Sequence, residues 1–236
     1  MKMVGFDRRI RLEWLDEVAF HYYKSRDQRE TASHMKQYLL QYSSGAEARR
    51  KFYDILKRVW VDVPPQHEVV RNKALELFIE SNASTDRLAV HWGMILITYP
   101  FFCDVADSIG QSVAIQDEVP LSNIYKKTVE NWGERSTVKH AMDKLVGSLW
   151  QWGVLDKKTK GVYTHVLPVD IAKPYQLWLV ESKLRSENVQ ERPLFEVLTS
   201  KTLFPFNINL NKNDIHEYGA FEISRQGMDR EIISFR

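Results

Sequence analysis

Apolar residues recur every three or four positions through the first part of the chain, and this spacing predicts amphipathic helices. Six helices are expected, over residues 6–24, 29–42, 46–61, 68–80, 86–98 and 101–114. The fifth is the most apolar and is expected at the centre of an all-helical bundle with short connecting loops. The Val63-Pro-Pro65 run ends the third helix and Pro100 ends the fifth, because proline cannot continue a helix.

The pattern changes between Glu118 and Val166, where two helices are separated by a tight turn. Ser122 is expected to cap the first of them, over 123–131, and Gly133 to end it with a positive φ. Ser136 is expected to cap the second helix. The apolar residues of that second helix fall on one face: Val138, Ala141, Leu145, Leu149 and Trp152.

A β-hairpin is expected directly after this helix, which Gly153 ends. Two short apolar runs, 154–155 and 162–163, enclose the polar segment Asp156 to Gly161, and such a pattern is typical of two strands around a turn. The segment STVKHAMDKLVGSLWQWGVLDKKTKGVY therefore resembles the second helix and hairpin of winged helix-turn-helix domains. That resemblance implies nucleic-acid binding, although some winged helices contact only other proteins.

The same resemblance implies a site on the second helix and on the hairpin, or wing. The start of a recognition helix meets base edges in the major groove, and lysines on the wing would lie near phosphates. The residues so implicated are Arg135, Thr137, Lys139, His140 and Lys144 on the helix, and Lys157, Lys158 and Lys160 on the wing. The third helix of the bundle carries a secondary basic surface, for which a solvated face is the simpler interpretation. That surface consists of Arg49, Arg50, Lys51, Lys57 and Arg58.

The C-terminal part combines helices with strands. A helix is expected over 172–186, capped by Asp170, and a short one from Pro193 to Ser200. Apolar residues alternate with asparagines over 206–211, which predicts a half-buried strand, and a hairpin is expected around Gln226-Gly227. The fold class is thus mainly α with small β: a helical bundle (1–100), a winged helix-turn-helix (101–166), and C-terminal helices with a small antiparallel sheet (167–236).

Charge is distributed unevenly along a chain whose formal net charge is only +2. Residues 121–165 contain eight Lys/Arg and four acids, which gives +4, so the remainder sums to −2. A local basic excess of this kind is compatible with phosphate binding, although it is a weak signal alone.

Composition favours an ordinary globular protein in a reducing compartment. The chain of 236 residues is 44% hydrophobic and contains one cysteine, so no internal disulfide is expected. The first residues show no apolar run before their charges, so they are not expected to be a secretory signal. The longest uncharged apolar stretch, Ala89 to Cys103, is shorter than the roughly 20 residues of a membrane span and is expected to be a buried helix. A cytoplasmic location without membrane contact is expected.

Sequence signatures of catalysis are missing. The chain has no phosphate-binding loop, dinucleotide fingerprint, H-E-x-x-H or G-x-S-x-G motif, and its seven histidines never fall three or four residues apart. We therefore expect no enzyme activity, metal, cofactor or small-molecule substrate. His91 is expected to be a hydrogen-bonded core histidine, and Cys103 has no evident base beside it. A carboxylate pair assembled from distant positions remains the open alternative.

A narrower resemblance spans residues 35–165. It is carried by YLLQYSSGAEARRKFYDILKRVW, LAVHWGMILITYPFFCDVADSIG and ERSTVKHAMDKLVGSLWQWGVL. In apolar pattern and element order these segments are similar to the BrxA family, accessory proteins of BREX bacteriophage-defence systems. That family combines a helical part similar to the antitermination factor NusB with a winged-helix-like part. The resemblance implies DNA binding in a defence complex.

Three functional hypotheses follow. The first is a non-enzymatic accessory protein that binds double-stranded DNA in phage defence, together with other protein components of a defence complex. The second is a protein–protein adaptor in which tryptophans anchor a partner; the candidates are Trp132, Trp150, Trp152 and Trp178. The third is an RNA-binding protein, because a row of basic residues does not distinguish DNA from RNA.

Overall fold

The computed structural model of the protein describes residues 4–166, 168–227 and 230–236. These residues form eleven α-helices and two three-stranded antiparallel sheets, which confirms the expected mainly α fold with small β elements. In the described ranges, no helix combines the length and the apolar character needed to cross a membrane.

All six helices expected in the first part of the chain are present. They are α1 (Leu12–Ser25), α2 (Gln28–Tyr38), α3 (Ala46–Trp60), α4 (Glu68–Glu80), α5 (Ser84–Thr98) and α6 (Pro100–Val113). Every residue of α5 from Leu88 to Thr98 is buried, so the most apolar helix does lie in the core. His91 in this helix has both ring nitrogens hydrogen-bonded: Trp60 Nε1 donates to Nδ1 at 3.2 Å, and Nε2 lies 2.8 Å from Asp16 Oδ1. The expectation of a satisfied core histidine is confirmed.

The start expected for α1 was wrong by about six residues. Residues 4–11, here called the N-terminal arm, are not helical, and Gly5 and Phe6 have φ values of 62° and 54°. Phe6 is 1% exposed, and its ring packs against Tyr99 and Trp152 at centroid distances of 5.4 and 6.5 Å. Burial of this aromatic ring between distant elements offsets the cost of the left-handed backbone and holds the arm out of the helix.

The second region has the expected order of helix, tight turn, helix and hairpin. Its elements are β1 (Glu118–Pro120), α7 (Leu121–Trp132), α8 (Ser136–Gln151), β2 (Leu155–Thr159) and β3 (Val162–His165). Strand β3 lies between β1 and β2, and β1 was not expected because three residues show no periodicity. Neither serine caps its helix as expected: Ser122 lies two positions after the N-cap residue Pro120, and Ser136 lies one position after the N-cap residue Arg135. Pairing of Pro120 with Val162 fixes the start of α7 at Leu121, and α8 begins at Ser136 after Arg135.

The C-terminal region contains three helices and the second sheet. Its elements are α9 (Lys173–Glu187), β4 (Glu191–Pro193), α10 (Leu194–Leu198), α11 (Lys212–Glu217), β5 (Phe221–Gln226) and β6 (Arg230–Phe235). The expected hairpin is confirmed as β5 and β6, although Met228 and Asp229 lie outside the described residues. Strand β6 lies between β5 and β4.

The strand expected over 206–211 was wrong. Among the described residues only Phe206 of this segment forms a bridge, to Val169, because the asparagines make specific hydrogen bonds in an irregular segment. Asn211 caps α11 in a reciprocal pair with Asp214. Asn207 Nδ2 donates to Asp170 Oδ1 at 2.7 Å, so Asp170 does not cap α9 as expected.

One large core runs through all three expected segments, from Val4 to Phe206. Helix α5 packs against α9, and the two are joined by a hydrogen bond from Trp178 Nε1 to Val90 O at 3.3 Å. A second, smaller core lies between α9, α10, α11 and the C-terminal sheet. Helix α9 therefore contributes to the core of the bundle, whereas the buried residues of α10 and α11 belong to the smaller core.

A buried carboxylate ties α4, α9 and α11 together. Glu181 is 2% exposed and accepts hydrogen bonds from Lys73 Nζ at 2.7 Å, Arg185 Nε at 2.8 Å and the Tyr218 hydroxyl at 2.8 Å. Burial alone would raise the pKa of Glu181, but these hydrogen bonds outweigh it and hold the pKa below its usual value.

Glu181→Gln is expected to lower the free energy of unfolding by about 2 to 3 kcal/mol at pH 7, because it removes the charge that three donors share. The loss is smaller than for a wholly buried pair, since the Lys73 and Arg185 side chains are 37% and 31% exposed. Because the pKa of Glu181 is lower in the folded protein than its unfolded value of 4.5, the ionised side chain stabilises the fold fully at pH values above 4.5. This stabilisation is lost as the pH falls through the pKa of the folded state.

Urea denaturation at pH 7 and below pH 4 would measure both effects. The difference between wild type and variant should shrink in acid. The exposed Glu217→Gln, also a charge removal, is the matched control and should behave like wild type at both pH values. A difference for Glu181→Gln that is independent of pH would contradict the assignment of the effect to its charge.

Candidate nucleic-acid interface

Helices α7 and α8 are joined by the three-residue turn Gly133 to Arg135, a length typical of helix-turn-helix units. Gly133 has φ 77°, as its position after α7 predicted. Trp132, the last residue of α7, is buried, and its Nε1 donates to Asp104 Oδ2 on α6 at 2.6 Å. The turn is therefore held against the bundle.

The first two turns of helix α8 divide into a core face and an outward face. The predicted apolar residues Val138, Ala141, Leu145, Leu149 and Trp152 are all buried. Thr137, Lys139 and His140 are exposed, as expected for residues that meet a partner. Lys139 Nζ lies 6.0 Å from the centre of the Tyr125 ring on α7. The first two turns of α8 thus present polar side chains to solvent from a rigid support.

Arg135 differs from the other helix candidates because it is committed to a structural contact. It is half-buried, and its Nε and Nη2 donate to the Trp132 carbonyl at 3.1 and 2.9 Å. The guanidinium caps the end of α7, where carbonyls lack helical partners. A contact between Arg135 and a ligand would therefore compete with the two hydrogen bonds that cap α7.

The three wing lysines are exposed but are not equivalent. Lys158 Nζ lies 2.5 Å from Glu118 Oε1, and this contact raises the pKa of Lys158. Lys157 and Lys160 have no acidic partner in the ranges that the structure describes. A break in strand register between Lys157 and Thr159 separates the two lysines. The wing therefore offers two unpaired cations and one paired cation.

Lys144 lies beside basic residues that sequence reasoning did not assign to the site. It is half-buried and lines a groove of about 500 Å³ together with Arg8, Arg9 and Arg11 of the N-terminal arm. The three arginines were expected at the start of a helix, an end where cations are unfavourable. That mismatch was the signal available in the sequence that they serve another purpose.

The secondary basic surface on α3 is internally paired. Arg50 contacts Glu47 and Asp54 at 2.7 and 2.8 Å, and Lys51 contacts Glu47 at 3.7 Å. The other three residues also have partners: Arg49 donates to Ser43 O and Ser44 O, Lys57 pairs with Asp62, and Arg58 donates to Thr98 O. These contacts favour the interpretation as a solvated, structural face.

Cys103, the one cysteine of the chain, was considered in the sequence as a nucleophile. Burial raises the pKa of the Cys103 thiol to about 12, and its Sγ donates to Leu96 O at 3.2 Å. Within the described ranges, no three His, Cys, Asp or Glu side chains form a group that could hold a metal ion.

The aromatic anchors considered for a protein partner are mostly core residues. Trp132, Trp152 and Trp178 are 6%, 7% and 0% exposed, whereas Trp150 on α8 is 43% exposed. Only Trp150 of these four is available to a partner.

Comparison of the chain with protein-family models, with curated proteins and with solved structures finds no match. The interpretation of α7, α8 and the wing therefore depends on their own residues and geometry.

Proposed function

We propose that the protein is a non-enzymatic accessory protein that binds double-stranded DNA through α8 and the wing. The observation that carries the proposal is the exposure of Thr137, Lys139 and His140 on a helix whose opposite face is buried. A helix supported in this way can enter a major groove without moving the core, and its first residues meet base edges. Lys157 and Lys160 on the wing would contact phosphates.

A role in bacteriophage defence is part of the proposal and derives from the sequence resemblance to the BrxA family. The helical bundle ahead of the α7–α8 unit agrees with the element order of that family. On this view the bundle contacts other proteins of a defence complex while α8 and the wing contact DNA. An RNA duplex is the alternative ligand for the same cations, and competition separates the two.

A protein–protein adaptor is the second candidate, and one observation favours it. Trp150 lies on α8 with 43% of its surface exposed, and tryptophan is a residue type enriched at interface hot spots. An adaptor of this kind would not bind DNA even at low salt.

The wing predicts a specific salt dependence. The double variant Lys157→Ala/Lys160→Ala should lower duplex affinity and reduce the magnitude of the slope of log K against log salt by about 1.8, since each phosphate contact contributes about 0.9. Lys158→Ala should reduce the slope less, because Glu118 already neutralises that lysine. Fluorescence anisotropy with a labelled 20-base-pair duplex, from about 50 to 200 mM salt, measures both.

The control is a double variant of the exposed cations Arg29 and Lys36 on α2, both changed to Ala, which have no acidic partner in the described chain. It removes the same charge and should leave the slope unchanged. An unlabelled RNA duplex of the same sequence should compete less well than DNA. A wild-type protein that does not bind the duplex at low salt would overturn the proposed function and favour the adaptor.

A further inference from the structure

The N-terminal arm is fixed on α8 by backbone and side-chain contacts. The Ile10 amide donates to Ser148 Oγ at 2.9 Å, and Trp152 Nε1 donates to the Ile10 carbonyl at 2.8 Å. Arg9 lies over Gly147, where a Cβ atom would clash with Arg9 Nε and come within 3.0 Å of its Cδ. Gly147 therefore admits an arginine against the helix backbone.

The arm brings positive charge to the groove beside Lys144. Arg8 contacts Asp7 at 3.2 Å and Arg11 contacts Glu13 at 3.7 Å, so their charges are partly balanced. Arg9 is exposed and Lys144 half-buried, and neither has an acidic partner among the residues that the structure describes. Uncompensated cations in a concave surface attract anions more strongly than the same charges spread over a flat surface.

The lining of the groove also includes the aromatic side chains of Trp14, Tyr42 and Phe52. Trp14 packs on Phe52 and Tyr42 at centroid distances of 4.8 and 5.1 Å. Trp14 is only 4% exposed, yet its Nε1 has no hydrogen-bond partner among the described residues. A buried N–H without a partner is costly, so an acceptor atom that gained access to it would be favoured.

The groove also continues the outward face of α8. Lys144 follows His140 by four residues and Gly147 follows His140 by seven, so all three positions lie on the same side of the helix. Seven helical residues span about 10 Å, which is about three base-pair steps along one strand. A nucleic acid seated on the start of α8 could reach the groove with a phosphate group.

We propose that this groove is an anion subsite in which Arg9 and Lys144 bind a phosphate group of the nucleic acid, beyond the segment that α8 contacts. The proposal rests on the proposed function. It assigns the N-terminal arm, through Arg9, a direct part in binding. Guanidinium and ammonium groups suit this task because both form charge-assisted hydrogen bonds to phosphate oxygens.

The test is the double variant Arg9→Gln/Lys144→Gln, compared with Arg29→Gln/Lys36→Gln as a matched loss of one arginine and one lysine. Anisotropy with the labelled duplex should show the salt slope reduced in magnitude by about 1.8 in the first variant. The affinity at 100 mM salt should fall at least tenfold, and the control should match wild type. Thermal unfolding of each variant verifies that the fold is retained.

A slope equal to that of wild type, while Lys157→Ala/Lys160→Ala still lowers it, would overturn the subsite and leave the proposed function standing. A wild-type protein that does not bind the duplex would overturn the proposed function instead. Inorganic pyrophosphate then tests the groove alone. A melting temperature raised by pyrophosphate in wild type, but not in Arg9→Gln/Lys144→Gln, would support the anion subsite, and no rise in wild type would overturn it.

Discussion

Gly93→Ala is expected to lower the free energy of unfolding by about 2 kcal/mol, because α5 and α9 leave no room for a methyl group. A Cβ atom at this position would overlap Trp178 Nε1 and Ser182 Oγ and lie 2.6 Å from Trp178 Cε2. Trp178 is fully buried and held by its hydrogen bond to Val90 O, so its ring cannot turn away. The better helix propensity of alanine, about 1 kcal/mol, offsets part of a packing cost of about 3 kcal/mol.

Urea denaturation of the whole chain measures this loss, and a thermal scan should show a melting temperature lower by about 4 to 8 °C. Gly45→Ala is the matched control, since a Cβ atom there meets nothing closer than 3.8 Å and its φ is −73°. Gly93→Leu should destabilise further, because the added atoms extend into the same contact. Equal stability of Gly93→Ala and Gly45→Ala would contradict a close packing of α5 on α9.

The position of Gly93 shows what periodicity can and cannot predict. The apolar run of α5 predicted a buried helix, because three- and four-residue spacing reports which face avoids water. It did not predict which helix packs there, since α9 lies about eighty residues further along the chain. The same reasoning explains the missed β1 and β4, which are three residues long and defined by their partner strands.

The two errors at 6–11 and 206–211 have a common origin. Both segments show a regular apolar pattern, yet long-range contacts determine their structure. Phe6 is held by Tyr99 and Trp152, and the Asn207 side chain bonds to Asp170. Local pattern is overruled where a buried ring or a specific hydrogen bond contributes more than regular backbone pairing.

The candidate site was predicted in part for the same reason. Exposure of Thr137, Lys139 and His140 follows from the helical period of α8, and the structure agrees. The pairing of Lys158 with Glu118 and the contact of Arg9 with Gly147 join residues 40 and 138 positions apart. No local pattern reports such contacts, so the unequal wing lysines and the groove were found only in the folded chain.

Thr137→Ala/His140→Ala is expected to reduce discrimination between DNA sequences by about 30- to 25,000-fold, while the salt slope stays near that of wild type. Neither residue is a lysine or an arginine, so the number of cations available to phosphates is unchanged. Each lost contact to a base edge costs about 1 to 3 kcal/mol of preference for the right base. The wing variant Lys157→Ala/Lys160→Ala should give the reverse result, a lower slope with discrimination retained.

A preferred duplex, selected from a randomised library with the wild-type protein, provides the reference for this comparison. Affinities of wild type and both variants are then measured for that duplex and for a scrambled one. Thr137→Ala/Lys36→Ala serves as a control that keeps His140 and should lose only part of the discrimination. If the helix variant lost affinity equally for both duplexes, α8 would contact the backbone alone. Discrimination would then have to arise from DNA shape, because shape and deformability are read without contacts to bases.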